Sequence, residues 1–345
     1  MDRQTLIKCR RVCKEWRNYI DFRTIISDFW YLQLLNEAEL GPDELPFQLA
    51  GWMVKGKEGD WRGFWNLYCS RIILKRAKVN TERCQGVTPL HKAAYVGNLE
   101  MCRFIINHLG EGDDKNPLST QNETPLHTAA SKGHLEICRL IMSQLDNKNP
   151  SRPEDGSTIL HCAAAKGHLG ICCLILNAIT DKNPTDDNGH TPLHWAAQEG
   201  HFLICQSIIK NAEDKNPPSK SELETPLHYA ASNGHTDICK LLIESVDNIN
   251  PQDIDGATPL HLAARNGHLS TCSLILKVSS GKIPSDKDGR TPLHWAANFE
   301  HFDVCKLLLD CVENFSPEDK YGKTPLEYAQ EMGNKKIVAL FKKFN

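Results

Sequence analysis

A tetrapeptide returning at a near-constant interval constrains this chain more than any other feature. Thr-Pro-Leu-His, or a close variant, begins at Thr88, Thr124, Thr158, Thr191, Thr225, Thr258, Thr291 and Thr324. The intervals are 36, 34, 33, 34, 33, 33 and 33 residues. A chain of 345 residues with ordinary composition would otherwise suggest two or three conventional domains. Self-similarity at this period indicates a stack of small supersecondary units, each burying its apolar face on the next.

Each unit follows a local logic. Thr caps a helix start with its hydroxyl, and Pro fits the first helical position, where its missing N–H would be unpaired anyway. Pairs of small residues follow, such as Ala196-Ala197 and Ala263-Ala264, and allow close helix packing. Gly falls nine residues after most of the Thr, as at Gly97, Gly133, Gly167, Gly200, Gly234, Gly267 and Gly333. That is where a short helix stops on a left-handed residue. A second apolar helix comes next, as in Ile238 to Ile243, and then an Asn/Asp/Pro/Gly-rich turn such as Asp181 to Gly189. Some units depart from the pattern. The first interval is longer, around Gly110 to Asp113. Leu223 stands where Gly usually precedes Thr-Pro, and Glu300 stands where Gly should stop the helix. A left-handed conformation costs a non-Gly residue roughly 1 kcal/mol. The last unit reads Thr-Pro-Leu-Glu and ends with Lys335, Lys336, Lys342 and Lys343, which suits a water-facing terminal cap.

These residues resemble the ankyrin repeat from near Cys84 to the end. The resemblance implies an all-α-dominated solenoid over residues 80–345, with eight repeats starting near 86, 122, 156, 189, 223, 256, 289 and 322. It implies paired antiparallel helices, β-hairpin-like loops projecting from them, and a concave face of loops and first helices that binds a client protein. Each repeat then touches only its neighbours.

The 14 Cys and 15 His fall into the same period. Cys102, Cys138, Cys172, Cys205, Cys239, Cys272 and Cys305 each lie fourteen residues after a Thr, on the inner side of the second helix. Units one helix-packing distance apart, about 8–10 Å, are too far apart for disulfides in sequence order. These Cys read as small buried hydrophobes. Thirteen His occupy two repeat positions, one closing Thr-Pro-Leu-His (His127, His194, His261) and one following the Gly (His134, His201, His268). In ankyrin-like repeats such His organise hydrogen bonds within and between units. Metal or catalytic chemistry needs ligands converging on one point, whereas a ladder spreads them along an axis. No phosphate-cradling GxxxxGK[ST], HExxH, GxSxG or paired CxxC occurs, so neither an enzyme nor a cofactor is expected.

If the repeated positions build the frame, specificity lies where the units differ on the concave side. Trp, Tyr and Arg are favoured binding anchors. The candidate client site therefore centres on repeats four to seven at Trp195, Tyr229, Arg265, Arg290 and Trp295, with Gln198, Phe299, His190, Lys287 and Tyr321 around it. The alternative is that the aromatics pack against neighbouring first helices. Asn116, Asn149, Asn183, Asn216 and Asn250 recur in the inter-repeat turns. They read as turn formers, and resemblance to ankyrin repeats adds asparaginyl hydroxylation as a second reading.

The first 80 residues are of another kind. They hold 14 Lys/Arg against 10 Asp/Glu and five of the seven Trp, while the remainder holds 26 against 33. Leu6, Cys9, Val12, Cys13, Trp16 and Ile20 form a helical apolar stripe. The block Cys9 to Arg17, followed by Ile20-Asp21 and Phe29-Trp30, resembles the second half of an F-box, over residues 1–35. Residues 36–79 form a Trp-rich linker or cap. An F-box implies docking on the Skp-type adaptor of a cullin–RING ubiquitin ligase, here through Leu6, Val12, Cys13 and Trp16, with the ankyrin array recruiting the substrate. The family's first helix should precede Leu6, and Met1 leaves no room for it, so an N-terminally truncated box is expected. The competing reading is an ankyrin scaffold with no ubiquitin role.

An acidic array disfavours nucleic acid, since phosphate neutralisation needs a basic face. No apolar run is long enough to cross a membrane, and the charged N-terminus lacks a signal peptide's apolar region. The expectation is a cytoplasmic protein, with the nucleus as alternative, carrying reduced thiols and monomeric outside its complex.

Overall fold

The computed structural model describes residues 86–344, apart from 110–112, 280–282 and 313. The F-box-like and linker segments, with Leu6, Val12, Cys13 and Trp16, lie outside the described residues. So does the core of the Gly110 to Asp113 insertion. The chain divides into two compact units, 1–71 and 72–345, and the described residues belong to the second.

Sixteen helices follow one another as eight pairs among the described residues. The first helices are α1 (Pro89–Val96), α3 (Pro125–Lys132), α5 (Ile159–Ala165), α7 (Pro192–Gln198), α9 (Pro226–Ser232), α11 (Pro259–Arg265), α13 (Pro292–Asn298) and α15 (Pro325–Glu331). Their partners are α2 (Leu99–His108), α4 (Leu135–Met142), α6 (Leu169–Ala178), α8 (Phe202–Ile209), α10 (Thr236–Ile243), α12 (Leu269–Val278), α14 (Phe302–Cys311) and α16 (Lys335–Phe344). First helices pack on first helices of the neighbouring pairs, and second helices on their own partner and on second helices. This is the solenoid expected of stacked repeats. The close inner row is made possible by Ala-Ala pairs, such as Ala196-Ala197 and Ala263-Ala264, which are fully buried.

The tetrapeptide builds each first helix. Thr191 sits at φ −111, ψ 165 as N-cap, with Pro192 in the first turn. The Thr191 N–H donates to His194 Nδ1 at 2.9 Å. Because Nδ1 accepts, the proton of the neutral ring is on Nε2, which donates to the Glu224 carbonyl of the next unit at 3.2 Å. The same His links one unit to the next at His91, His161, His228, His261 and His294. Burial holds these rings neutral: the pKa falls to about 3 at His194 and to about 4 at His228 and His261.

The helix ends use a second interlocking pair. Gly200 adopts φ 80 after α7, and a Cβ there would come within 2.6 Å of the His235 ring of the next unit. That ring donates from Nε2 to the Gln198 carbonyl at 2.9 Å. Glu300 does take the left-handed conformation, at φ 65. The next unit lacks the His there; Asn334 replaces it and donates from Nδ2 to the Glu300 carboxylate at 3.0 Å. Leu223 is likewise left-handed, at φ 56, as is Asn122.

The loops are hairpin-shaped turns, not strands. Among the described residues the one β contact is an isolated bridge between Ser151 and Thr158. Each finger closes on itself, as where Asp286 N–H donates to the Arg290 carbonyl at 2.9 Å. One backbone bond then joins it to the finger before: Lys220 to Asn188, Ile254 to Glu222, Lys287 to Asp255 and Lys320 to Asp288. The third finger has Pro153 at the donor position, and proline has no N–H to give. His127 Nε2, on the same junction, is buried without a partner. Arg152 crosses the gap instead, reaching Glu123 at 3.4 Å and Asp155 at 2.8 Å.

The seven periodic Cys are fully buried among Ile, Leu and Ala, and every thiol is free. Burial pushes their pKa up to about 12.

Candidate protein-binding face

The fingers and first-helix ends carry the variable residues, and carboxylates set at the finger bases position them. Asp286 accepts from Asp288 N–H at 2.9 Å and Arg290 N–H at 2.8 Å. Its second oxygen accepts the Trp295 indole N–H at 3.0 Å. Asp319 repeats the arrangement one unit on, taking Tyr321 N–H, Lys323 N–H and, at 2.8 Å, the Tyr328 hydroxyl. Burial acts against the Asp319 charge, yet these N–H and O–H donors hold its carboxyl below the usual range. Asp186 caps its own finger by accepting His190 N–H at 2.8 Å. These Asp were not among the expected site residues. Their signal was available: Asp186, Asp253, Asp286 and Asp319 each stand five residues before the capping Thr.

The expected client-binding residues fall into groups. His190, Trp195 and Tyr229 form one, with the His190 and Trp195 ring centroids 5.6 Å apart. His190 Nε2 lies 3.0 Å from the Tyr229 hydroxyl, and Nδ1 faces Asp186 at 3.7 Å. The Tyr229 pKa is raised, first by burial and then by the Glu224 carboxylate. This group is half-buried and packed ring on ring, with His190 Nδ1 buried short of a hydrogen bond.

Arg265, Trp295 and Phe299 form a second group. The Arg265 guanidinium lies 5.1 Å over the Phe299 ring and 5.7 Å over Trp295. Trp295 is half-buried, with an edge contact to His261, whereas Phe299 is 44 % exposed. Arg290 and Tyr321 form a third group, in which the guanidinium lies 5.7 Å from a ring that is 61 % exposed. Arg290 also pairs with Asp288 at 3.1 Å and donates to the Tyr328 hydroxyl at 3.3 Å. Lys320, which also pairs with Asp288, and Tyr328 complete this group, although neither was among the expected client residues. Lys287 is exposed on its finger and donates to the Ile254 carbonyl. Gln198 ends α7 and reaches only its neighbour Glu199.

Four of the five turn Asn residues are tied inward, whereas Asn250 Oδ1 is buried without a partner. Asn116, Asn149, Asn183 and Asn216 each accept from a backbone N–H in the first turn of the following first helix, as Asn216 does from Leu227 at 3.0 Å.

Chemically, this surface offers cations, aromatic faces and hydrogen-bond donors on a rigid frame. Among the described residues no group of three His, Cys, Asp or Glu is placed to hold a metal ion. Among them, too, no helix is long and apolar enough to cross a membrane. The family model described as ankyrin repeats (3 copies) matches residues 65–151, 140–219, 213–284 and 280–344. No curated protein matches the sequence. Matched over most of its length by a family whose members are interaction scaffolds that bind protein partners, the chain belongs to the ankyrin-repeat family.

Proposed function

We propose that this chain is a non-enzymatic binding protein of eight ankyrin repeats that captures a client protein on its inner face. The observation that carries this reading is the contrast along that face. A frame of buried His, Ala and Cys is held by repeated hydrogen bonds, while Arg265, Phe299 and Tyr321 stand in water on top of it. Exposed aromatics beside Arg on a fixed scaffold are what binding anchors require. Thiols pushed up to about 12 and rings buried neutral are poor nucleophiles and poor proton carriers at neutral pH, which supports binding over catalysis.

The reading extends to the N-terminal segment. Residues 1–35 serve as an F-box-type dock for a Skp-type adaptor, through Leu6, Val12, Cys13 and Trp16, and residues 36–79 link that dock to the array. The array is then the substrate-recruiting arm of a cullin–RING ubiquitin ligase in the cytoplasm. The sequence block from Cys9 to Arg17 with its later Ile20-Asp21 and Trp30 supports this. Co-precipitation of the full chain with Skp adaptor and cullin tests it. Recovery of both, lost in Val12→Asp and Trp16→Ala, is expected. Client capture with no adaptor or cullin in either sample would instead favour the scaffold without a ubiquitin role.

A further inference from the structure

The inner face is not uniform in charge. Residues 81–345 carry 26 Lys/Arg against 33 Asp/Glu, so most of the array repels an anion. The end formed by helix pairs six to eight differs: residues 256–345 hold 12 Lys/Arg against 10 Asp/Glu, and several of those carboxylates are already bonded. Asp286 and Asp319 are buried and bonded to backbone N–H groups, Trp295 and Tyr328. Asp288 is held by Arg290 and Lys320, Glu331 by Lys323 and Glu300 by Asn334.

Arg265 is left without a carboxylate among the described residues. Among the described residues its side chain contacts the two aromatic faces beneath it. Those rings hold the guanidinium in place, so the side-chain entropy that binding would cost is partly spent already. The Phe299 ring, 44 % exposed, offers apolar area next to it. Trp295 joins these parts, with its indole N–H on the finger carboxylate and its ring under Arg265.

Resting on the concave-face reading, we infer that this end of the array takes an acidic segment of the client, with one Asp or Glu carboxylate on Arg265 and a neighbouring apolar side chain against Phe299. A carboxylate matches the fork of one free guanidinium, whose donors are otherwise unused. A phosphate carries more charge than one free guanidinium neutralises, and Arg290 and Lys320 are committed to Asp288. A basic segment would meet like charge here, and a purely apolar one would leave Arg265 desolvated and unpaired. The acidic middle of the array, where residues 151–255 hold 7 Lys/Arg against 15 Asp/Glu, steers an acidic segment away from itself.

The test pans a phage-displayed library of random peptides on the full chain and then measures binding of the labelled winners by anisotropy. Winners should carry Asp or Glu beside an aromatic or Leu. Replacing that acid by its amide, or Arg265→Gln in the protein, should weaken binding about tenfold or more. Raising salt from about 0.05 to about 0.3 M should weaken it further. Thermal unfolding of the Arg265→Gln chain should match the parent. Acidic winners indifferent to Arg265→Gln overturn the inference, as does binding that appears only when the peptide carries phosphoserine. A library that yields no winner overturns it too. Neutral or basic winners that Phe299→Ala and Gln198→Ala weaken overturn the acidic assignment and leave the concave-face reading standing. Winners unaffected by any of these inner-face substitutions overturn both.

Discussion

Lowering the pH from 7.5 to 5.5 should strip this array of much of its stability well before its carboxylates titrate. Burial lowers the pKa to about 4 at His127, His228 and His261 and to about 3 at His194. In the unfolded chain each ring returns to about 6.5. Above that value both states are neutral and the rings cost nothing. As pH falls below it the unfolded chain binds protons that the folded chain refuses, so stability drops until the folded pKa is reached. The slope is roughly 1.4 kcal/mol per ring for each pH unit. At pH 5.5 four rings therefore remove about 6 kcal/mol, comparable to the whole stability of many domains. His91, His161 and His294 are shifted the same way, chiefly by burial, and add to the loss. Proton uptake during urea unfolding at pH 5.5, followed with an indicator dye, gives the number directly and does not require two-state behaviour. About four protons or more are expected, falling by about one in His228→Gln. Uptake below about one proton, or a urea midpoint unchanged until pH 4, would refute neutral burial of the rings.

Other outcomes follow from the same structure. Gly200→Ala should cost about 2 kcal/mol or more in urea unfolding, because φ 80 and the His235 ring at 2.6 Å both resist a Cβ. Asn216→Ala should cost about 1–2 kcal/mol by leaving the Leu227 N–H unpaired, and a change within error would mean that water replaces it. Amide exchange should be faster across the junction of α3 and α5, where Pro153 and His127 leave two bonds unmade, than across α9 and α11. Iodoacetamide with peptide mapping should label the exposed Cys311 while leaving Cys138, Cys205 and Cys239 unmodified in the folded protein.

The helices were legible because their signals are local. Thr, Pro and the left-handed Gly lie within nine residues and fix both ends of each first helix. The left-handed strain at Glu300 was legible for the same reason. What the sequence hid are contacts between units. Trp295 looks like a free anchor in sequence, yet Asp286 takes its indole N–H and His261, from the unit before, packs on its edge. Trp195 and Tyr229 are similarly occupied with His190. The sequence therefore ranked as equal residues that the packing divides into fixed and free. Phe299 and Arg265 remain available because the helix has ended beneath them and no neighbouring side chain reaches over.

The interlock between a Gly and the following His has a consequence for how such a protein can change. Six units end on a Gly whose missing side chain is filled by the ring of the unit after it, and the seventh uses Glu300 with Asn334 instead. Copying or deleting a whole unit from the second to the sixth leaves every lock facing a matching tooth. A splice that sets a His-bearing unit behind Glu300 would force an imidazole against a carboxylate stem. The array can lengthen or shorten in its interior, then, while its last joint has to be inherited as a pair.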